Sequence, residues 1–177
     1  MNEQVILVDL HDIEIGAMPK LEAHQKGVLH RAFSIFIFNK KGQLLLQQRA
    51  DEKYHSGGLW TNTCCSHPRP GEKIIAAADR RLKEEMGIAC KLKVLFSFTY
   101  KADLDNELFE HEFDHVLFGV SDQLPAINLN EVKDFKYLDL QYVKADIQKH
   151  PANYTEWLKC CFDRVCEEYL KTNFPHE

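Results

Sequence analysis

Residues 60–68 read Trp-Thr-Asn-Thr-Cys-Cys-Ser-His-Pro, and Pro70-Gly71-Glu72 leads from them into a stretch free of glycine and proline that ends at Gly87. The run of good helix formers predicts a helix over residues 72–86, with Gly87 as its C-terminal stop. Upstream, residues 31–39 are aromatic and β-branched, and Lys41-Gly42 separates them from a second apolar run over 44–48, which reads as a hairpin near the middle of a sheet. Residues 4–9, 92–100, 113–120 and 135–140 give further strands, the turn at Asp103-Leu104-Asp105-Asn106 lying between the second and third of these. Tyr154, Trp157, Leu158, Cys161, Phe162, Val165, Tyr169 and Leu170 recur at three and four, the stripe of an amphipathic helix closing over the sheet. Strands and helices interleaved without regular βαβ spacing imply an α/β fold of the α+β sandwich type, with a mixed or antiparallel sheet.

Composition sets outer limits. With 177 residues, 45% hydrophobic and 28% charged, the chain is expected to form one domain over residues 1–177 without disulfide staples. The 22 basic residues against 27 acidic leave a net charge of −5, and no basic run exceeds two, so nucleic acid is not an expected partner. No apolar stretch approaches the roughly 20 residues of a membrane-spanning helix, and Met1-Asn2-Glu3-Gln4 carries an acid where a signal peptide wants positive charge. A cytoplasmic protein with no membrane partner is expected. The six cysteines include two adjacent pairs and no Cys-x-x-Cys, which fits reduced thiols rather than a disulfide framework or zinc ribbon.

Chemistry concentrates in three places. Cys64 and Cys65 stand close to His67, a pairing that serves either as an acid/base or nucleophilic thiol, favoured as thiolate by a nearby cation or metal, or simply as core packing. On the helix, Arg80-Arg81 and Glu84-Glu85 form i,i+4 pairs, with the acids near the end where the helix dipole disfavours them. Such a face is either a solvated ion-pair surface or a site for a Mg²⁺-diphosphate, with oxygen ligands for the ion and cations for the phosphate. The third place is Glu110-His111-Glu112-Phe113-Asp114-His115. The period of two puts its three carboxylates on one face of a strand and its two imidazoles on the other. Crowded carboxylates repel, so this face calls for a metal or a strongly raised pKa. His24 and His30 flank a short polar loop, and with His67 and the two glutamates they make an N₃O₂ set suited to a divalent transition metal or zinc.

Taken together, Thr61-Asn62-Thr63-Cys64-Cys65-Ser66-His67-Pro68, Glu110-His111-Glu112 and the segment from Arg80 to Ile88 resemble the type I isopentenyl-diphosphate isomerases, a branch of the Nudix superfamily, over residues 7–157. The resemblance implies a Nudix-type sheet flanked by helices and a 1,3-allylic proton shift from isopentenyl to dimethylallyl diphosphate. It implies Cys65 and Glu112 as catalytic residues, His24, His30, His67, Glu110 and Glu112 as ligands of one divalent metal, Mn²⁺ or Zn²⁺, and Glu85 as the ligand of a Mg²⁺ arriving with the diphosphate. Lys20, Arg49, Lys53 and Arg81 match residues that hold the diphosphate, and Tyr100 and Trp157 match aromatics of the hydrocarbon pocket. The general Nudix box has Gly where Ser66 stands and Glu where Arg81 stands, departures that weaken the competing reading as a diphosphate hydrolase. A non-catalytic metal-binding domain is a further alternative, disfavoured because closed structural zinc sites usually recruit cysteines. The expected partner is a small-molecule diphosphate, with the protein a monomer or weak homodimer.

Overall fold

A computed structural model describes residues 3–172; Met1, Asn2 and residues 173–177, which belong to the expected 1–177 unit, lie outside it. The centre of the sheet is β3 (His30–Phe38), which pairs in parallel with β8 (Phe109–Val120) over its whole length, from His30↔Glu112 to Phe38↔Val120. The strand β7 (Leu92–Asp103) runs antiparallel to β8, and a hairpin of β1 (Gln4–Val8) and β2 (Glu14–Pro19) extends the other side of β3. With parallel and antiparallel pairs in one sheet, the expected mixed sheet is borne out.

One face of the sheet carries α2 (Ile74–Met86), whose Ala77, Ala78, Leu82 and Met86 pack on Phe33, Ile35 and Ile37. The other carries α3 (Leu140–Lys149) and α4 (Glu156–Lys171), whose Val143, Leu158, Phe162 and Val165 pack on Phe36, Phe38 and Phe118. Odd residues of β3 therefore face α2 and even residues face α4, as strand alternation requires. No helix among the described residues is long and apolar enough to cross a membrane.

Five expectations need correction. The hairpin over 31–48 barely exists, because β3 and β4 (Leu44–Arg49) meet only at Phe38↔Leu44 and then splay apart. The short strands β5 (Trp60–Thr61) and β6 (Cys64–Ser66) fill the fork, β5 on β4 and β6 on β3, while β4 gains its long partner in β9 (Val132–Leu138). His24 flanks no simple loop but lies in a short helix, α1 (Lys20–Lys26), ended by Gly27 in the left-handed conformation. The strand expected from 113 begins at Phe109 and takes in both glutamates, and the last strand ends at Leu138, so Leu140 opens α3. Helix α2 starts at Ile74 because Glu72 is folded back, accepting from the Arg69 N–H at 2.9 Å and from Arg80 at 2.8 Å.

Splaying two strands strands their backbone groups, and buried N–H and C=O groups demand partners. Thr63 supplies two: its Oγ1 accepts from the Ile37 N–H at 2.9 Å and donates to the Leu45 carbonyl at 2.6 Å, bridging the fork. Asn62 Nδ2 donates to the carbonyls of Ile35 and Cys64 at 3.1 and 2.8 Å. The Thr-Asn-Thr segment is thus a polar wedge that holds the fork open.

Gly87 does end α2, at φ 67°, with its N–H on the Lys83 carbonyl at 3.0 Å. A Cβ there would stand 2.8 Å from the Ala126 carbonyl oxygen, whereas at Gly71, with φ 79°, nothing lies within 4 Å. We expect Gly71→Ala to cost about 1 kcal/mol from backbone strain alone and Gly87→Ala distinctly more, read as shifts in urea unfolding midpoint. Equal shifts would refute the collision with the Ala126 backbone.

Candidate active site

Three strands place three groups in a row on the α4 face: His30 on β3 is in register with Glu112 on β8, which is in register with Tyr100 on β7. Helix α1 brings His24 against this row, and the chain leaving β6 brings His67, with ring centroids 4.9 Å apart for His24 and His30 and 5.0 Å for His30 and His67. Nδ1 of His24 faces the Lys20 carbonyl and Nδ1 of His30 the Val28 carbonyl, each at 2.8 Å. A carbonyl only accepts, so both Nδ1 atoms carry the proton and both Nε2 atoms turn a lone pair inward. There His30 Nε2 lies 3.2 Å from His67 Nε2, His67 Nε2 lies 2.9 Å from Glu112 Oε1, and His24 Nε2 is buried with no hydrogen-bond partner. Donor atoms of His24, His30, His67 and Glu112 all fall within 4.8 Å of one another. Inward lone pairs whose outer nitrogens are fixed by backbone carbonyls are what a divalent metal requires of its imidazole ligands, and the residues fit such an ion.

The charges around this row agree. Burial holds His24 down to about 4 and His67 down to about 3, so these two imidazoles are neutral at neutral pH. Burial pushes Glu112 up, but the neighbouring imidazoles of His30 and His67 outweigh it and its carboxyl stays well below the ordinary range. Glu110 goes the other way, raised by burial and then by the charge of Glu112. The Tyr100 hydroxyl stands 2.8 Å from Glu110 Oε2 and 2.7 Å from Glu112 Oε2. One hydroxyl proton serves one carboxylate, so without a cation the other must bring its own. Asp114 shares the face as expected but is spent on Ser34, whose hydroxyl donates to Oδ2 at 2.7 Å. His111 and His115 point the opposite way, to the Gly27 carbonyl at 3.0 Å and Asp12 Oδ2 at 2.9 Å.

The two adjacent cysteines divide between the faces. Cys64 packs with Ala77, Ala78 and Leu82 under α2, while Cys65, in register with Ser34, looks toward α4. A lowered thiol pKa is not what surrounds Cys65. Burial, then the nearby glutamates against the opposing charge of Arg49, push it up to about 12, so the group is a protonated thiol. Cys65, His67, Glu110 and Glu112 line a pocket of about 40 Å³, together with Trp157, Lys20, Arg49, Lys53, Arg81 and Glu85. His24, His30 and Tyr100 sit behind that wall, all buried. Trp157 is held by its indole N–H on Asn62 Oδ1 at 3.1 Å, so the wedge that opens the sheet also aims the aromatic.

On the α2 side of the space, Glu85 accepts from Arg81 at 2.5 Å and from Gln47 at 2.9 Å. Arg49 lines the space but spends Nε and Nη2 on the carbonyls of Ser56 and His55, at 3.2 and 3.1 Å, with its guanidinium 5.2 Å from the Trp157 ring. Several contributors escape the sequence reading. Glu131 pairs with Lys53 and, at 3.3 Å, with Arg81. Tyr54 and His55 line the wall, and burial, then the charge of Arg49, hold His55 down to about 2. Each sits in a loop or turn without periodicity, so no sequence signal marks its direction.

A model of the NUDIX domain matches residues 28–158. The chain is 56% identical over 174 residues to isopentenyl-diphosphate Delta-isomerase 1 of Aromatoleum aromaticum, covering 97% of this chain and 98% of that protein. It is 57% identical over 159 residues to isopentenyl-diphosphate Delta-isomerase 2 of Photorhabdus laumondii, covering 90% of each. Among solved structures, the fold resembles DR0079 of Deinococcus radiodurans, with a TM-score of 0.70 at 20% identity over 84% of this chain and 90% of that one. By sequence along nearly its whole length, and by fold, the chain belongs to the isopentenyl-diphosphate Delta-isomerase family of NUDIX-domain proteins.

Proposed function

We propose that the protein interconverts isopentenyl diphosphate and dimethylallyl diphosphate, for isoprenoid biosynthesis, with Cys65 and Glu112 as its acid/base pair. One observation carries the assignment of residues: Cys65 on β6 and Glu112 on β8 line the same pocket from separate elements. The chemistry needs two such groups. No carbonyl is present to stabilise a carbanion, so a proton is added to the terminal alkene carbon, leaving a tertiary cation, and a different proton is taken from the carbon on its other side. The proton count balances, and in the reverse direction donor and acceptor exchange roles. Two groups on separate elements act without either swinging around the substrate. Once the substrate fills the pocket its lining must keep out water, which would trap the cation. The face of Trp157 offers a desolvated cation about 2 kcal/mol.

His24, His30, His67, Glu110 and Glu112 would hold a divalent ion, Mn²⁺ or Zn²⁺ in this reading. When bound, it supplies the positive charge that lets two adjacent buried glutamates remain ionised. The Tyr100 hydroxyl stands against the outer oxygens of both carboxylates and donates its one proton to one of them. Lys20, Lys53, Arg49 and Arg81 would bind the diphosphate, with Glu85 taking its Mg²⁺. Lys53 and Arg81 must exchange Glu131 for phosphate oxygens. Residues 1–177 act as one domain, a monomer or weak homodimer, in a reducing cytoplasm suited to six free thiols.

Cys65→Ser and Glu112→Gln should each lower isomerisation by about 10²–10⁴-fold, while Cys64→Ser, packed under α2, stays within a few-fold of wild type. The assay follows isopentenyl diphosphate in heavy water by NMR. Loss in Cys64→Ser with near-normal turnover in Cys65→Ser would reverse the assignment, and phosphate release matching turnover would favour the hydrolase. After identical mild chelation, elemental analysis should find less divalent metal in His67→Ala than in wild type; equal content removes His67 from the ligands. Glu85→Gln should shift the Mg²⁺ titration of kcat/KM to higher concentration, and an unchanged titration refutes its role.

A further inference from the structure

A fourth imidazole stands beside the three that converge on Glu112. His55, in the loop after β4, is 4% exposed and stacks on His24 with ring centroids 5.6 Å apart. Its Nε2 lies 3.8 Å from Glu110 Oε1, too long for a hydrogen bond. The distance suits two donors of one ion, since ligands each about 2.1 Å from a common metal lie no more than about 4.2 Å apart. His24, His55 and Glu110 form a second set whose donor atoms fall within 4.8 Å of one another.

The two sets share His24, and that decides how many ions they serve. Nδ1 of His24 is committed to the Lys20 carbonyl, so the ring has a single lone pair, on Nε2, and ligates one ion only. The geometry points to His55 as a further ligand of the same divalent ion; the two sets, each gathered within 4.8 Å around His24 but not yet with each other, would draw together on that ion into a six-donor shell of His24, His30, His55, His67, Glu110 and Glu112. This rests on the metal reading of that cluster and adds a residue to it. Such a shell leaves no position open to solvent, so the ion holds the two glutamates and does not itself present a reactive water.

The loop is built to keep His55 there. Arg49 grips the His55 and Ser56 carbonyls, the Ser56 N–H donates to Asp105 Oδ1 at 3.1 Å, and Asn106 Nδ2 donates to the Tyr54 carbonyl at 3.1 Å. Ser56 adopts φ 51°, a left-handed backbone that side-chain-bearing residues take only when the surroundings impose it. A His needed only to fill space would not require that conformation beside it.

The test strips the protein with chelator, reloads it with Co²⁺ and records visible absorption, Co²⁺ stoichiometry and the rate of Co²⁺ loss to chelator. Wild type should take one Co²⁺ per chain with the weak bands of a six-coordinate ion. His55→Ala should keep the wild-type far-ultraviolet dichroism, absorb more strongly as a five-coordinate ion, lose Co²⁺ about 10-fold faster or more, and recover the weak bands when imidazole is added. Identical bands and loss rates in the two proteins overturn the role of His55 and leave the metal reading standing. Wild type that takes no Co²⁺ overturns both, and two Co²⁺ per chain overturn the single shared ion. Should His55→Ala not fold, the wild-type bands decide: strong five-coordinate absorption overturns the inference.

Discussion

Glu110 and Glu112 are buried side by side under one tyrosine hydroxyl, and a protein interior tolerates two such carboxylates only if something offsets their charge. Much of the surrounding architecture answers that demand. Helix α1, the chain after β6 and the loop after β4 bring in imidazoles kept neutral by burial, with ring nitrogens left free to donate electron pairs. Remove the countercharge and the pair must share a proton, which changes the hydrogen-bond pattern of Tyr100 and with it the placing of Glu112.

The second constraint is the fork between β3 and β4. A flat hairpin would have closed the space that separates Cys65 from the basic groups on the α2 side. Thr63 and Asn62 prevent this by taking over the backbone partners that the splayed strands lost. The same Asn62 receives the Trp157 indole N–H, so opening the sheet and orienting the aromatic are one act of folding. Basic groups reach the space from four directions: Lys20 opens α1, Arg49 ends β4, Lys53 follows it and Arg81 lies on α2.

What could be read from sequence was what depends on local period. Strand alternation put Glu110, Glu112 and Asp114 on one face and His111 and His115 on the other, and the glycine stop placed the end of α2. The parallel pairing of β3 with β8 is not local and left no mark, although it sets His30 beside Glu112. Helix α1 has seven residues and no side-chain cap, too little pattern to distinguish from a loop, so the setting of His24 was missed. His55 and Glu131 were invisible for a related reason: a loop residue's direction comes from the tertiary bonds that pin its backbone. Lys20, Arg49, Lys53 and Tyr100 were named because of family resemblance rather than period.

The opposite orientation of Cys64 and Cys65 has a consequence for damage. Neighbouring thiols in a flexible segment can oxidise to a ring between adjacent residues, which would tie up the Cys65 thiol inside its own chain. A disulfide needs its Cβ atoms about 3.5–4.5 Å apart, and successive side chains of a strand point away from each other across the sheet. Closing that ring would require β6 to leave β3 and Cys64 to leave the hydrophobic layer under α2. The strand that turns Cys65 into the pocket therefore also shields it from its neighbour, and oxidation of Cys65 must come from an oxidant or thiol small enough to enter that pocket.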